Sequence, residues 1–574
     1  MDFLEIRETP IWGLYEKGRN YHRLTGIYVD TDKNHRFFEG DQWQGAKLDG
    51  VEPVQKNFIR PIVKYKCAVI HDNLYSIVFE SMNFENRAFR KQAEKICKLL
   101  NGYMARVWEQ DQMDKKLRKV TKNAAINGEG IVYIYYDEEL RRPVHEVIDK
   151  TDVYYGNEND EDIQSQPYIL LRRRMPVYNA IELARSRGVS EEDCHYILGD
   201  NDVHEEAGDA AKQEVDDMVT IVYKMFKKNG TVHFSSATRY CDIDEEVDTG
   251  MKLYPVAHMT WEEKKGSARG EGEVKYLIPN QIEVNRTEMR RVLTGKFQAF
   301  PRTVADRSKI SNPNALNTVG GIIWTNGQPV DDVNKIIGTI APAQMSPDVK
   351  LLQDDLIQMS RELAGAGDAA TGDIDPEQAS GRAILAIQQA QRAPMTEQKE
   401  GLKTEVEDIA RIDLEMLIVN SPDGIDMEEK ITDPMTGEET YQMVHIPQAS
   451  LEQVMASVKI EITPRSPYDR FAQEQTLENF LLNGLFAPQR IGEFAAYVEA
   501  LDDDSVAPKQ KLMEILERMK EDQKKIAMID AQARLMQQRA QQFLMEDPDA
   551  QSSMMASAMG RMQAEQPMEE MEGV

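Results

Sequence analysis

Ser346-Pro347-Asp348-Val349-Lys350-Leu351-Leu352-Gln353-Asp354-Asp355-Leu356-Ile357-Gln358-Met359-Ser360-Arg361-Glu362-Leu363, followed by Ala364-Gly365-Ala366-Gly367-Asp368-Ala369-Ala370-Thr371-Gly372-Asp373-Ile374, is the stretch on which the reading of this 574-residue chain turns. Ser346 is a candidate N-cap, Pro347 suits the first helical position and Asp348 complements the positive end of the helix dipole. Val349, Leu352, Leu356, Met359 and Leu363 recur at alternate steps of three and four, the spacing of one helix face. The pattern predicts a rod over 347–363, roughly 25 Å long at 1.5 Å per residue. Its apolar stripe reads as helix packing rather than as a ligand box. Residues 364–374 are small, with little side chain to pin them by packing, and read as a mobile loop.

Working outward, residues 298–345 lose helical periodicity and gather Pro301, Pro313, Gly320, Gly321, Gly327 and Pro329 around Gly321-Ile322-Ile323-Trp324, the mark of a small unit of turns and short strands. Before that unit, Pro279 to Phe297 has helical composition with Pro near the first turn, a second rod of roughly 28 Å, nearly matching the other. Gly266-Ser267-Ala268-Arg269-Gly270-Glu271-Gly272-Glu273 reads as its flexible approach. Downstream, Asp375-Pro376-Glu377-Gln378 supplies an N-cap, a first-position Pro and a capping-box Gln, predicting a long helix to about Val419 with a kink at Pro394.

Residues 1–130 read as mainly helical, with Phe89, Ala93, Ile96, Leu100, Met104 and Val107 on one buried face. A β-rich region over about 131–262 follows. Its strongest mark is Val219 to Lys227 and Thr231 to Arg239 flanking Lys228-Asn229-Gly230, because Asn-Gly supplies the positive φ angles of a tight hairpin. Residues 425–464 return to strand patterning around the turn Asp433-Pro434-Met435-Thr436-Gly437, and 465–545 are helical. The last stretch, Met545 to Val574, holds seven Met, seven acids and one Arg, and reads as a disordered acidic tail. The fold class is therefore α+β, mainly helical.

Charge narrows the function. Acidic residues number 98 against 69 basic, a net charge of -29, which disfavours a protein that grips nucleic acid through a basic face. Four cysteines (Cys67, Cys97, Cys194, Cys241) form no C-x-x-C pair, so neither a disulfide framework nor a zinc module is indicated, and assembly in a reducing cytosol fits. No secretory leader and no membrane-spanning run is read from the sequence.

Catalytic motifs are missing. Gly365-Ala366-Gly367-Asp368-Ala369-Ala370 fits G-x-G-x-x-A, but a helix precedes it where a dinucleotide fingerprint needs a strand. Asn157-Glu158-Asn159-Asp160-Glu161-Asp162 lacks the Gly and Glu of a calcium loop and reads as a solvated acidic loop. Cys67 and His71 stand four apart without a second ligand pair, so they read as buried or half-buried side chains. Asp242, Asp244, Glu245 and Glu246 have no companion base, and Arg172-Arg173-Arg174 reads as half of an ion-pair network. No G-x-S-x-G, Walker A or H-E-x-x-H occurs, and no enzymatic activity, cofactor or metal is expected.

Several segments carry a resemblance in their order along the chain: Phe37-Phe38-Glu39-Gly40-Asp41-Gln42-Trp43, then Asn57-Phe58-Ile59-Arg60-Pro61-Ile62-Val63, Asn127-Gly128-Glu129-Gly130-Ile131-Val132, Gly272 to Arg290, the two rods with their small unit, and Ala379-Ser380-Gly381-Arg382-Ala383-Ile384. Together, over about residues 30–540, the chain resembles the portal (head-to-tail connector) proteins of tailed bacteriophages. The resemblance implies a portal fold whose copies, about a dozen, close into a homo-oligomeric ring. Residues 1–29 would then be an N-terminal arm, 30–276 wing, 277–297 and 346–363 the stem helices, 298–345 the clip, 364–374 the tunnel loop, 375–464 the long helix with wing strands, 465–545 the crown, and 546–574 the acidic tail.

It further implies a place in the virion, at the capsid portal vertex, after assembly in the bacterial cytoplasm. Double-stranded DNA would pass through without sequence specificity during packaging and ejection. Partners would be the terminase large subunit, scaffolding and major capsid proteins, and head-completion adaptor or tail proteins, with no membrane involved. On this resemblance Gly365, Ala366, Gly367, Asp368, Thr371, Gly372 and Asp373 would face DNA from the tunnel loop, Lys350 and Arg361 would line the stem channel, and Trp324, Asn326 and Asp331 would dock the motor or adaptor. The acidic composition agrees with a channel in which DNA must slide rather than bind. Two other readings are a helical scaffold without a DNA channel, assembling through 508–545, and a nucleotide-dependent or hydrolytic enzyme.

Overall fold

The computed structural model describes residues 7–46, 52–71, 74–81, 87–200, 217–299, 302–318, 320–326, 332, 336–340, 345–367, 393–432, 439–455, 458–465 and a set of helical residues between Leu481 and Gln538. The protein is mixed α/β, about 53% helical and 22% strand. It divides into two compact units, Met1–Pro464 and Arg465–Val574.

The first unit opens with α1 (Pro10–Thr25), α2 (Ile27–Glu39) and α3 (Ile59–Ile70). The Thr9 hydroxyl caps α1 by accepting from Trp12 N at 3.4 Å, and Gly26, at φ +76°, makes the left-handed corner between α1 and α2. Next come β1 (Leu74–Ser81), α4 (Arg87–Gln110) and α5 (Met113–Asn127). Ala93, Ile96, Leu100, Met104 and Val107 are buried along α4, as their spacing predicts. Strand β1 is the one described strand in this mainly helical region before β2: it pairs with the far-off β14 (Val458–Arg465), a partner that local periodicity cannot reveal.

The β-rich region runs through β2 (Glu129–Asp137), β3 (Arg142–Ile148), β4 (Val153–Tyr155), β5 (Tyr168–Pro176), α6 (Val177–Ser186), α7 (Glu191–Cys194), β6 (Met218–Lys228), β7 (Thr231–Ala237), β8 (Asp242–Asp248) and β9 (Val256–Thr260). It forms two antiparallel sheets, β3-β2-β9 and β4-β5-β6-β7-β8. The expected hairpin is present: Lys228 pairs with Thr231 across Asn229 (φ +57°) and Gly230 (φ +92°). Alternation along the strands divides the five-stranded sheet. Tyr154, Leu170, Val222 and Ala237 pack against Ile11, Trp12 and Tyr15 of α1, so residues 10–25, expected in an N-terminal arm, help cover this sheet. Val153, Tyr155, Ile169, Leu171 and Met225 pack with Ile131, Tyr133, Ile148 and Val256 of the smaller sheet.

The rest of the unit comprises α8 (Glu273–Ala299), β10 (Arg302–Ala305), β11 (Ile337–Ile340), α9 (Asp348–Leu363), α10 (Thr396–Val419), β12 (Ile425–Thr432), β13 (Glu439–Ile446), α11 (Gln448–Met455) and β14. Helix α10 is the axle of the core. Leu402, Val406, Ile409, Ile412 and Met416 join one apolar cluster while Ala410, Leu414, Leu417 and Ile418 join another with α4, so it is buried almost all round. A 3₁₀ turn, Ala393–Met395, precedes it at the expected Pro394 break; the expected helix start at Asp375 lies outside the described residues.

From Ala268 to Glu273 the segment expected as a flexible approach is packed. A Cβ on Gly128 would lie 2.3 Å from Gly270 O, one on Gly270 2.4 Å from Gly128 O, and one on Gly272 2.5 Å from Ile126 O. Two backbone stretches thus cross at a distance that only glycine permits. In the second unit, Val498 and Leu516 are buried and pack with Phe494 and Tyr497. The unit begins at Arg465, where the sequence reading starts its C-terminal helical region.

Candidate functional site

Helices α8 and α9, with the small unit between them, are the part of the fold that the core explains least. Helix α8 starts at Glu273, six residues earlier than expected, and Pro279 stands inside it rather than at its first turn. The helix spans 27 residues against 16 for α9, so the two rods are not matched in length. The reason is burial: Val274, Leu277, Ile278, Gln281, Val284, Asn285 and Thr287 root α8 in the core, and no residue of it beyond Thr287 is buried.

The root is held by polar side chains that sequence reading missed. Gln281 Oε1 accepts from Phe58 N at 3.0 Å while its amide donates to Lys56 O at 2.9 Å, and Asn285 Oδ1 accepts from Lys56 N at 3.1 Å. Asn285 also donates to Gln42 Oε1 at 2.5 Å. Asn57 in turn donates to the carbonyls of Phe37 and Phe38 at 3.2 and 3.1 Å. The two aromatic-rich segments singled out in the sequence therefore form one collar around the base of α8. Gln281 and Asn285 one helical turn apart were the available signal.

Beyond the root, α8 and α9 run antiparallel along a polar seam. Asn280 donates to Ser360 Oγ at 2.9 Å near the base, and Arg291 donates to Gln353 Oε1 at 2.9 Å further out. Gln353 Nε2 returns a bond to Glu288 Oε2 at 2.8 Å, and Arg291 pairs with the same carboxylate at 2.9 Å. Gln353 and Ser360 are the buried residues of α9. The stripe expected to pack divides: Leu356 contributes to the core margin, but Leu352, Met359 and Leu363, with Leu351, are 57–77% exposed. At about 100° per residue Leu352, Met359 and Leu363 form one row about a quarter turn from the seam, and Leu351 lies opposite it. Lys350, exposed, and Arg361, half-buried, share a helix face three turns apart, on the flank of the seam away from that row.

Helix α9 ends in a Schellman motif. Gly365, at φ +69°, donates to Glu362 O at 2.9 Å, and Ala366 N donates to Arg361 O at 2.8 Å. Ala364 and Ala366 are buried in the main core, so the first part of the expected mobile loop, through Gly367, is anchored by packing. Asp368, Thr371, Gly372 and Asp373 lie outside the described residues.

The small unit is a β10–β11 ribbon, Arg302 facing Ile340 through Ala305 facing Ile337, with an Ile310–Thr325 bridge beside it. Asn312 ties its turns together, accepting from Trp324 N at 2.8 Å and donating to Ile322 O at 2.7 Å. Asn326 N donates to Lys309 O at 2.9 Å and its side chain meets Ser311. Val304, Ile322, Trp324 and Ile340 are all exposed. Asp331 lies outside the described residues.

Elsewhere, charge is organised for structure. Arg269 is buried and donates to Glu129 at 3.1 Å, to both oxygens of Glu158 at 2.9 Å and to His22 Nε2 at 2.9 Å, with Tyr155 under its guanidinium at 4.4 Å. Glu158 therefore departs from the solvated loop expected of 157–162; burial opposes its ionisation but Arg269 outweighs it, holding the carboxyl at about 2. Burial lowers His22 to about 4, so the ring is neutral and accepts from Arg269. His145 is clamped between Asp111 at 2.8 Å and Asp413 at 3.0 Å; burial works against its charge, but the two carboxylates raise it to about 9. The three arginines pair within the chain, Arg172 with Asp152 at 2.7 Å, Arg174 with Asp200 at 2.6 Å, and Arg173 with Glu146.

A cavity of about 410 Å³ beside α10 is lined by Glu161, Asp162, Glu263, Glu397, Glu400 and Asp408 among others. Among the described residues no group of three or more His, Cys, Asp or Glu is placed to hold a metal ion, and no helix is long and apolar enough to cross a membrane. Cys67 and His71 are half-buried, Cys67 shifted up to about 12 and His71 down to about 4, each chiefly by burial. No known family model matches the chain, and no curated protein matches it in sequence.

Proposed function

We propose that this chain is a portal subunit of a tailed bacteriophage, forming a ring of about a dozen copies through which double-stranded DNA is packaged and ejected. The observation that carries the reading is the two-sided character of α9. One side is locked to α8 by Gln353 and Ser360, while the flank beside it exposes Leu352, Met359 and Leu363 in one row, with Leu351 exposed on the back of the helix. A row of large apolar side chains on a projecting helix calls for an intermolecular partner, and copies arranged around an axis would supply one.

In this reading α8 and α9 form the stem, with Lys350 and Arg361 toward the channel and the loop after Leu363 reaching DNA. The ribbon carrying Trp324 and Asn326 docks the terminase large subunit and later the adaptor or tail proteins through its exposed apolar residues. Scaffolding and capsid proteins meet the wing. The chain acts mechanically and performs no catalysis, and its net charge of -29 keeps packaged DNA from adhering to the wall.

Deletion of residues 508–574 separates this reading from a helical scaffold without a channel. Negative-stain images of the truncated protein are expected to retain rings with a central hole, because the contacts assigned to wing and stem remain. Loss of all assembly on that deletion would favour the scaffold.

A further inference from the structure

Helices α3 and α5 place two cationic ridges side by side in a strongly acidic chain. Arg60 and Lys64 stand one turn apart on α3, Arg118 and Lys122 one turn apart on α5, and all four are exposed. Between them lies a groove of about 530 Å³ whose floor is Phe38, Val63, Cys67 and Ala68, with no carboxylate in its lining. The Arg60 guanidinium carbon is 5.9 Å and Lys122 Nζ 5.0 Å from the centre of the Phe38 ring. None of the four cations forms an ion pair among the described residues.

Like charges one turn apart on a helix repel, by a few tenths of a kcal/mol per pair. Two such pairs facing one another raise that cost, and although Glu39 borders Arg60 and Lys64 on their far side and Asp114 stands one turn before Arg118, no carboxylate enters the groove itself. The arrangement is complementary to an anion. The apolar floor narrows the class, since a ligand matching it brings an apolar side chain flanked by carboxylates. A nucleic-acid backbone offers no such knob, and a long polyanion meets the repulsion of the whole chain, which a short peptide largely escapes.

We propose that this groove docks an acidic peptide segment of a partner protein, with one apolar side chain seated over Cys67 and Ala68 and carboxylates on Arg60, Lys64, Arg118 and Lys122. The site does not depend on the portal reading, since it is complete within one chain.

The test is fluorescence anisotropy of the full-length protein with a labelled synthetic peptide of a dozen residues, four of them glutamate around a central leucine and methionine. Saturable binding is expected, weakened about tenfold or more by K64Q/K122Q and unchanged by K265Q/K309Q, which removes the same charge elsewhere. Replacing the peptide's leucine and methionine by serine is expected to weaken binding about tenfold as well. Should K64Q/K122Q fail to fold, Ala68→Glu reads the same site, because it sets a carboxylate on an exposed floor position and is expected to abolish binding. Equal affinity for wild type and these variants would overturn the proposal. So would equal binding of the serine peptide, which would mark a plain anion site, or displacement of the peptide by a short DNA duplex with the same sensitivity to K64Q/K122Q.

Discussion

Gln353 on α9 donates to Glu288 on α8 at 2.8 Å while accepting from Arg291 at 2.9 Å, and it is fully buried. A helix pair that buries an amide between two charged partners and leaves Leu352, Met359 and Leu363 in water departs from an ordinary surface helix, whose large apolar residues face the core. The departure makes sense when the apolar row has a destination outside the chain.

Gln353→Ala is expected to loosen the seam by about 1–3 kcal/mol, since Glu288 and Arg291 lose a shared partner. Amide exchange over α9 should rise several-fold while exchange over α10 stays unchanged. Equal protection in wild type and variant would mean that the seam does not hold the pair together.

Arg269→Met is expected to cost about 3–5 kcal/mol, because it removes the main partner of two buried carboxylates and leaves Glu129 only Lys150 at 3.8 Å and His258 at 3.5 Å, and Glu158 only His22 at 3.8 Å. A chemical-denaturation midpoint reads this directly. Restoring much of the loss by the further changes E129Q and E158Q would identify charge, rather than packing, as the cause.

Gly270→Ala is expected to be severely destabilising, because its Cβ would sit 2.4 Å from Gly128 O, with backbone on both sides of the contact. Gly266→Ala, a few residues away and with nothing near its Cβ, is the control; its positive φ costs on the order of 1 kcal/mol. Similar melting temperatures for the two variants would contradict the close crossing.

His22 and His145 give stability opposite pH dependences. Folding lowers His22 from 6.5 to about 4, so the unfolded chain binds a proton that the folded one refuses, and stability falls as pH drops from 6.5 toward 4. Folding raises His145 from 6.5 to about 9, so its contribution is complete below 6.5 and is lost as pH rises toward 9. Urea midpoints against pH should show the acid limb flattened in H22Q and the alkaline limb flattened in H145Q. Unchanged limbs would contradict these assignments.

Glu405, on α10, is fully buried with neither carboxyl oxygen hydrogen-bonded, and burial together with Asp408 raises its ionisation well above the ordinary range. Its folded form holds a proton that the unfolded chain releases, so its contribution is present below about pH 4.5 and is lost as pH rises. Glu405→Leu is therefore expected to raise the melting temperature at pH 8 more than at pH 4. The reverse order would show that the carboxyl has a partner when ionised.

The periodic parts of this fold were legible in the sequence. Ala93 through Val107 follow the helical spacing, Asn229-Gly230 makes its hairpin, and a 3₁₀ turn holds Pro394 where the sequence places a kink. What escaped was long-range. Strand β1 exists through a partner nearly four hundred residues away, and Gly270 and Arg269 look like a flexible linker until Gly128 and Glu129 are brought against them. The exposed side of α9 could not be foreseen either, because Leu352 and Met359 carry the same spacing whether their cover lies in the same chain or outside it. Of the proposed site, Lys350 and Arg361 stand on a helix that the spacing predicts, whereas the collar held by Gln281 and Asn285 needed three dimensions to be seen.

The most direct test of the central claim is the native mass of the full-length protein, by native mass spectrometry with negative-stain imaging of the same sample, beside the variant L352S/M359Q/L363S. Rings of about a dozen copies with a central hole are expected for the wild type, and for the variant a folded protein with the same melting profile but few or no rings. A compact dimer without rings at high concentration, or rings equally abundant in both proteins, would contradict it.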